Sequence, residues 1–241
     1  MSLDQETMNK IVENQELWIK SVLDKKEPYD KDFLGLSITV YPNVFPPCGD
    51  SILLGESLKI KSTDIVLDMC SGSGAQSIIT AKKGAQKVIA IDINPDAVNC
   101  IKYNIDKYDY ENKIEVRNGN LFDVLRSNEK FDVVIFNPPF MDIEPKNMFE
   151  KAVWDKDQLV TKRFFKDIKN YLNPNATIYM VFSNWGNFEL IEQLAKENNF
   201  TITKISEKQK DNEKYEVYTL TMWYYGNTNW RVIRKRRDYS W

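Results

Sequence analysis

The sequence predicts an α/β fold: a seven-stranded, mostly parallel sheet with an antiparallel terminal hairpin, preceded by an N-terminal helical extension. Three observations carry this expectation. From Ser51 onward, short apolar runs alternate with amphipathic segments, the pattern of parallel strands joined by right-handed helical crossovers. The last two strand-like runs are separated only by the polar stretch Glu207 to Lys214, so they can pair antiparallel. A chain of 241 residues also has the size of one such domain plus a short extension.

The elements follow in order. Met8, Ile11, Val12, Trp18, Ile19 and Val22 recur at intervals of three and four, predicting a helix from about Leu3 to Leu23. It can dock on the main domain or cover a substrate cleft, and docking is the simpler reading. Lys25 to Lys31 reads as a polar linker, and Leu34 to Val44 as a short strand or hairpin. Strands are expected at Ile65–Met69, Val88–Ile93, Lys113–Val116, Phe131–Phe136, Thr177–Phe182, Thr201–Ser206 and Tyr215–Tyr225. Helices are expected at Gly74–Lys83, from Pro95 to about Lys107, at Lys156–Tyr171 and at Phe188–Glu197. The chain thus divides into an extension (residues 1–45), a main domain (46–225) and a tail (226–241).

Composition excludes several chemistries. The chain has no histidine, which removes imidazole bases, Ser-His-Asp triads and His-ligated metals. Its three cysteines, Cys48, Cys70 and Cys100, make neither a disulfide framework nor a four-cysteine zinc site, so no metal is expected. With 33 basic and 35 acidic residues there is no overall basic field to recruit nucleic acid. No apolar run reaches membrane-span length, and MSLDQETMNK lacks the apolar centre of a signal peptide, so a cytoplasmic location is expected.

The chemistry gathers at three strand ends. Cys70-Ser71-Gly72-Ser73-Gly74 leaves a strand and opens a helix, a turn that lets a ligand approach the backbone near an N–H-rich helix start. Asp92 ends the next strand 20 residues after Gly72, where a carboxylate can accept the two hydroxyls of a ribose. Spacing for a dinucleotide pyrophosphate or a triphosphate loop is missing. Asp68 adds a negative charge that suits an ammonium group better than a pyrophosphate. A nucleoside joined to an amino acid fits this set, and S-adenosyl-L-methionine is such a molecule. At the end of a third strand stands Asn137-Pro138-Pro139-Phe140. The prolines hold it extended and remove N–H donors. The Asn137 side-chain oxygen and the Pro138 carbonyl can then accept both hydrogens of a planar –NH2 group, with Phe140 offering a flat face.

Asp68 to Gly74, Asp92 and Asn137 to Phe140, in that order, resemble class I S-adenosylmethionine-dependent methyltransferases over about Pro46 to Tyr225. The resemblance implies a Rossmann-like sheet and a cofactor site formed by Asp68, Cys70, Ser71, Gly72, Gly74, Asp92, Ile93 and Asn137. It also implies that Asn120, Leu121 and Phe122 flank the adenine. Among amino-group enzymes, the HemK-type release-factor glutamine methyltransferases look closest, although they usually carry Tyr where Phe140 stands. Val44 to Ser51 and Trp154 to Leu159 fall where that family has substrate and cofactor elements. The resemblance implies N-methylation of a planar amide or amino nitrogen, with a protein glutamine side chain favoured. An adenine or guanine amine, a small molecule or peptide, and a non-catalytic cofactor-binding subunit stay open.

Pro47-Cys48 lacks an adjacent base or cation and reads as structural. In the tail, Arg231, Arg234, Lys235, Arg236 and Arg237 interleave with Trp230, Tyr239 and Trp241. A solvated or packed tail is the simpler reading, and contact with RNA or a ribosomal surface the alternative.

Overall fold

A computed structural model describes residues 4–210 and 213–222. The basic tail therefore lies outside the described residues. Helix α1 (Gln5–Leu23) starts where the Asp4 carboxylate accepts the Thr7 N–H at 2.8 Å. Its buried Ile11, Ile19 and Val22 pack on Met141, Phe149, Val153 and Trp154. Strands β1 (Tyr29–Phe33) and β2 (Leu36–Val40) form a separate antiparallel hairpin. This corrects the expected linker at Lys25–Lys31, because β1 takes up Tyr29 to Lys31. Pairing with β2 overrides the polar side chains there, and Asp30 accepts hydrogen bonds from Thr39 Oγ1 at 2.6 Å and Lys107 Nζ at 3.1 Å.

Helix α2 (Gly49–Ser57) was not expected from the sequence. It has nine residues and buries Asp50 and Ser51 alongside Leu53 and Leu54, so no clean apolar stripe marks it. Then follow β3 (Ile65–Met69), α3 (Ala75–Lys82), β4 (Lys87–Asp92), α4 (Pro95–Lys107), β5 (Ile114–Asn118) and β6 (Phe131–Phe136). These agree with the expected elements to within two residues. The chain ends its described part with α5 (Leu159–Asp167), β7 (Leu172–Ser183), α6 (Phe188–Glu197), β8 (Phe200–Lys210) and β9 (Glu213–Met222).

The main sheet has the order β5-β4-β3-β6-β7-β9-β8; its first five strands are parallel and β9 alone is reversed. Alternate strand residues face opposite layers, as a period of two requires. Leu67, Met69, Val134, Phe136 and Phe182 meet α5 and α6, while Val66, Val133, Ile135 and Val181 meet α2, α3 and α4. Phe136 stacks on Phe164 at 3.8 Å, and each such fully buried ring stabilises the fold by about 1.5–3 kcal/mol.

Three other expectations need correction. Lys156–Tyr171 is not one helix: 3-10 turns at Lys156–Gln158 and Ile168–Tyr171 flank α5. The Asp155 carboxylate accepts the Val160 and Thr161 N–H groups at 2.9 and 3.1 Å, which sets the α-helical start later. Strand β7 begins five residues before Thr177, with a register shift against β6. The polar run Glu207 to Lys214 is mostly strand, its backbone paired antiparallel and flanked by cross-strand pairs in which Lys204 reaches Glu216 at 3.2 Å and Lys214 reaches Glu207 at 3.3 Å. Among the described residues, no helix is long and apolar enough to cross a membrane.

Candidate active site

The parallel register brings the carboxyl ends of β4, β3 and β6 side by side, with Met69 opposite both Ile91 and Phe136. The segments that follow these strands therefore converge on one edge, where ligands of open α/β sheets bind. A cavity of about 790 Å³ opens there. It is lined by Asp68, Cys70, Ser71, Gly72, Asp92, Ile93, Asn120, Leu121, Asn137, Pro138, Pro139 and Phe140 among others. Two expected site residues do not line it. Gly74, the N-cap of α3, is not among the lining residues, and the Phe122 ring points into the core, stacked on Tyr171 at 5.2 Å.

The turn after β3 is built from left-handed residues: Cys70, Gly72 and Gly74 have φ of 61°, 55° and 82°. Gly74 is the N-cap of α3, and a Cβ there would also lie 3.1 Å from Ile101 side-chain carbons, so the position needs glycine twice over. Ser71 ties the turn to β4, its N–H donating to the Ile91 carbonyl at 3.1 Å and its Oγ to the Asp68 carbonyl at 2.7 Å.

Two carboxylates flank this turn. Asp92 accepts the Gly72 N–H and the Asn94 N–H, each at 2.8 Å and each on a different oxygen. Every oxygen keeps a further lone pair for a ligand. Burial pushes its pKa up to about 6. Asp68 is 2% exposed, accepts a 2.5 Å hydrogen bond from Ser77 Oγ, and is pushed up to about 7, chiefly by burial. Two acids with raised pKa values, Asp68 buried and Asp92 half-buried, stand beside one cavity and are poised to meet a cationic ligand. Beyond β5, the Asn118 side chain and the Gly119 N–H both bond the Asp92 carbonyl, placing Asn120 and Leu121 at the cavity wall next to exposed Ile93.

On the third edge, the Asn137 amide is held by a residue 87 positions earlier. Its Nδ2 donates to Asp50 Oδ2 at 3.0 Å and approaches Ser51 Oγ at 3.4 Å. Both hydrogens turn toward α2, which leaves Oδ1 as a free acceptor among the described residues. Asp50 is itself fixed, because its Oδ1 accepts the Ser51 N–H at 2.6 Å; burial raises its pKa. The Pro138 carbonyl accepts no hydrogen bond among the described residues. The Phe140 carbonyl accepts from Gln158 Nε2 at 3.0 Å, which fixes the chain after the prolines. The Phe140 ring stands edge-on to Phe182 at 5.7 Å.

Sequence reasoning missed what Asp50 does. Val44 to Ser51 was singled out as a site segment, but nothing in it announces a bond to Asn137. It also missed Trp185, whose cavity position has no sequence signature, while Trp154, which opens the segment Trp154 to Leu159 set apart by the resemblance, does line the cavity. Helix α1 both docks and covers, since Gln15 and Trp18 line the cavity. Cys48 lies at the cavity too, and burial lifts its thiol to about 12, so it stays protonated and structural.

A sheet of this order, reversed only at β9 and cleft above β3, β4 and β6, defines the Rossmann-like class of S-adenosylmethionine-dependent methyltransferases. The chain belongs to the methyltransferase small domain family, whose sequence profile matches residues 48–219. A Methanocaldococcus jannaschii protein, provisionally named a protein N5-glutamine methyltransferase, is 35% identical over 168 residues, covering 66% of this chain and 83% of that one. The release factor glutamine methyltransferase of Clostridium acetobutylicum is 34% identical over 125 residues, covering 48% of this chain but only 44% of its own length. In fold, the T. thermophilus 16S rRNA N2 G1207 methyltransferase, solved with AdoMet and guanosine, matches 81% of this chain and 50% of its own at a TM-score of 0.64 and 19% identity.

Proposed function

We propose that this methyltransferase acts on the nitrogen of a primary carboxamide, a protein glutamine side chain, within the cavity lined by Asn137. The observation that carries the reading is the locked Asn137 amide. Asp50 takes its N–H side, so its oxygen and the Pro138 carbonyl are left as two acceptors at residues lining the cavity, which suits a planar –NH2 group. The glutamine acceptors named for the M. jannaschii and C. acetobutylicum relatives support the same choice.

The residues present fit S-adenosyl-L-methionine. The spare lone pairs of Asp92 suit ribose hydroxyls, and Asp68 suits the ammonium, directly or through water. The turn from Cys70 through Gly74, opening α3, suits the carboxylate. Ile93, Asn120 and Leu121 form the adenine wall, with Phe122 supporting Leu121 from the core. When bound, the cofactor supplies a methyl group already activated on a sulfonium. The chain's part is orientation. Asn137 Oδ1 and the Pro138 carbonyl hold both hydrogens of the acceptor nitrogen, which keeps its lone pair free to face the cofactor. Phe140 packs on the flat group. Such alignment can lower a barrier by roughly 7–11 kcal/mol. No strong base is required, because the methylated nitrogen is acidic and loses its proton to water, in keeping with a chain without histidine.

A nucleobase amine is the second reading. It is favoured by the likeness, at 26% identity over 136 residues, to a Bacteroides fragilis protein named a tRNA1(Val) (adenine(37)-N6)-methyltransferase. The basic tail would serve RNA or ribosome contact in either case. Three free cysteines suit a cytoplasmic location. The test is incubation of the chain with cofactor labelled in the methyl group and a fractionated cell extract. Label on a glutamine side chain, located by mass spectrometry, supports the proposal; label on RNA replaces it with the second reading.

A further inference from the structure

The family profile begins at residue 48, so helix α1 lies outside it. Yet Gln15 and Trp18 from this helix reach the cavity wall. Trp18 is half-buried, with its ring edge-on to Phe45 at 5.6 Å and tilted against Phe149 at 6.1 Å. Phe45, Phe140 and Trp185 are also half-buried, belong to the same side-chain cluster, and line the same cavity. Four aromatic side chains thus leave part of their surface to one space, beside the acceptors of Asn137 and Pro138.

We infer that α1 completes the acceptor subsite: Trp18 is a specificity-determining wall of an aromatic box that takes a flat carboxamide. A primary carboxamide presents two N–H hydrogens for Asn137 and Pro138 and two flat faces for the rings. The helix is equipped to hold the wall in place. Ile19 and Val22, 4% and 5% exposed, anchor it on Trp154 and its neighbours, and Glu16 pairs with Lys146 at 3.6 Å. This inference rests on the amide reading for the identity of the ligand, but the wall itself can be tested with whichever acceptor takes the label.

The experiment compares the full chain with Trp18→Ala, Trp18→Phe and, as a control on the same helix, the 67% exposed Leu17→Ala. The acceptor is the purified extract fraction that the unaltered chain labels, and calorimetry reports cofactor affinity. Loss of one aromatic wall should raise the acceptor KM about tenfold in Trp18→Ala. The same variant should change kcat and cofactor Kd by less than about threefold, and Trp18→Phe should recover most of the loss. Leu17→Ala should match the unaltered chain. Because a truncated Trp18 can also loosen the helix, Ile19→Ala, which weakens the anchor without touching the cavity, is measured beside it; a KM effect from loosening alone would be equal in both and not rescued by Trp18→Phe. An unchanged KM in Trp18→Ala overturns the inference whatever the acceptor is. A tenfold effect on an RNA acceptor keeps the wall but removes the carboxamide, and failure of the unaltered chain to label any fraction overturns both readings.

Discussion

Asp50→Asn changes one atom and keeps the shape, yet it should disable transfer. Asp50 uses its two oxygens separately, Oδ1 for the Ser51 N–H at 2.6 Å and Oδ2 for Asn137 Nδ2 at 3.0 Å. An asparagine there has one oxygen, which the adjacent Ser51 N–H retains, so its –NH2 group faces Asn137. Two –NH2 groups cannot face each other, and the Asn137 amide must turn over. Its oxygen is then consumed by residue 50, and its –NH2 meets the acceptor's own hydrogens. One hydrogen bond to a charged group contributes about 1.5–3 kcal/mol, which corresponds to roughly a ten- to hundredfold fall in kcat. Folding should tolerate the change, because a carboxylate buried to 3% exposure with a raised pKa gives up a desolvation cost when neutralised. The assay is methyl transfer to the labelled acceptor, with cofactor affinity by calorimetry and thermal melting on the same preparations. A second substitution sharpens it. In the Asp50→Asn background, Asn137→Asp restores an acceptor oxygen on both sides and should recover part of the rate. Full activity of Asp50→Asn, or a loss explained by weaker cofactor binding, would refute the amide-lock reasoning.

Asp92→Ala should weaken cofactor binding by roughly ten- to hundredfold, since two hydroxyls lose a charged acceptor; unchanged affinity by calorimetry removes Asp92 from the ribose site. The raised acids also give a pH signature. Asp68 and Asp92, pushed up to about 7 and about 6 by burial, bind protons more tightly folded than unfolded. The cofactor-free chain should therefore lose stability as pH rises from about 4 to about 7. Cofactor, cationic at the sulfonium and ammonium, should bind more tightly over the same rise and release protons on binding. Melting temperatures that climb with pH across that window, or binding without proton release, would contradict these assignments.

Much of this was legible in the sequence because strand ends carry their chemistry locally. Ile65–Met69 and Phe131–Phe136 are apolar runs interrupted by a single aspartate each, Asp68 and Asp132, and Phe188–Glu197 has a clear stripe; the structure places all three at the expected residues. Parallel pairing then brings Gly72, Asp92 and Asn137 to one edge without further information. What stayed hidden is what tertiary contacts decide. Helix α2 buries polar Asp50 and Ser51 against Asn137, so its pattern misleads. The late start of α5 follows from Asp155 taking up N–H groups, and the polar end of the β8–β9 hairpin carries the cross-strand pairs Lys204–Glu216 and Lys214–Glu207 in place of apolar alternation. The family resemblance implies that Phe122 flanks the adenine. Its ring instead joins Tyr171 and Phe164 in the core.

The central claim is that the Asn137 oxygen orients the nitrogen that is methylated. Single-turnover transfer by Asn137→Ala, with cofactor Kd measured on the same protein, tests it most directly. A rate lowered by about a hundredfold or more with cofactor Kd within about threefold is the predicted result, the size seen when one preorganised polar contact to a reacting group is lost. An undiminished rate in that variant would contradict it.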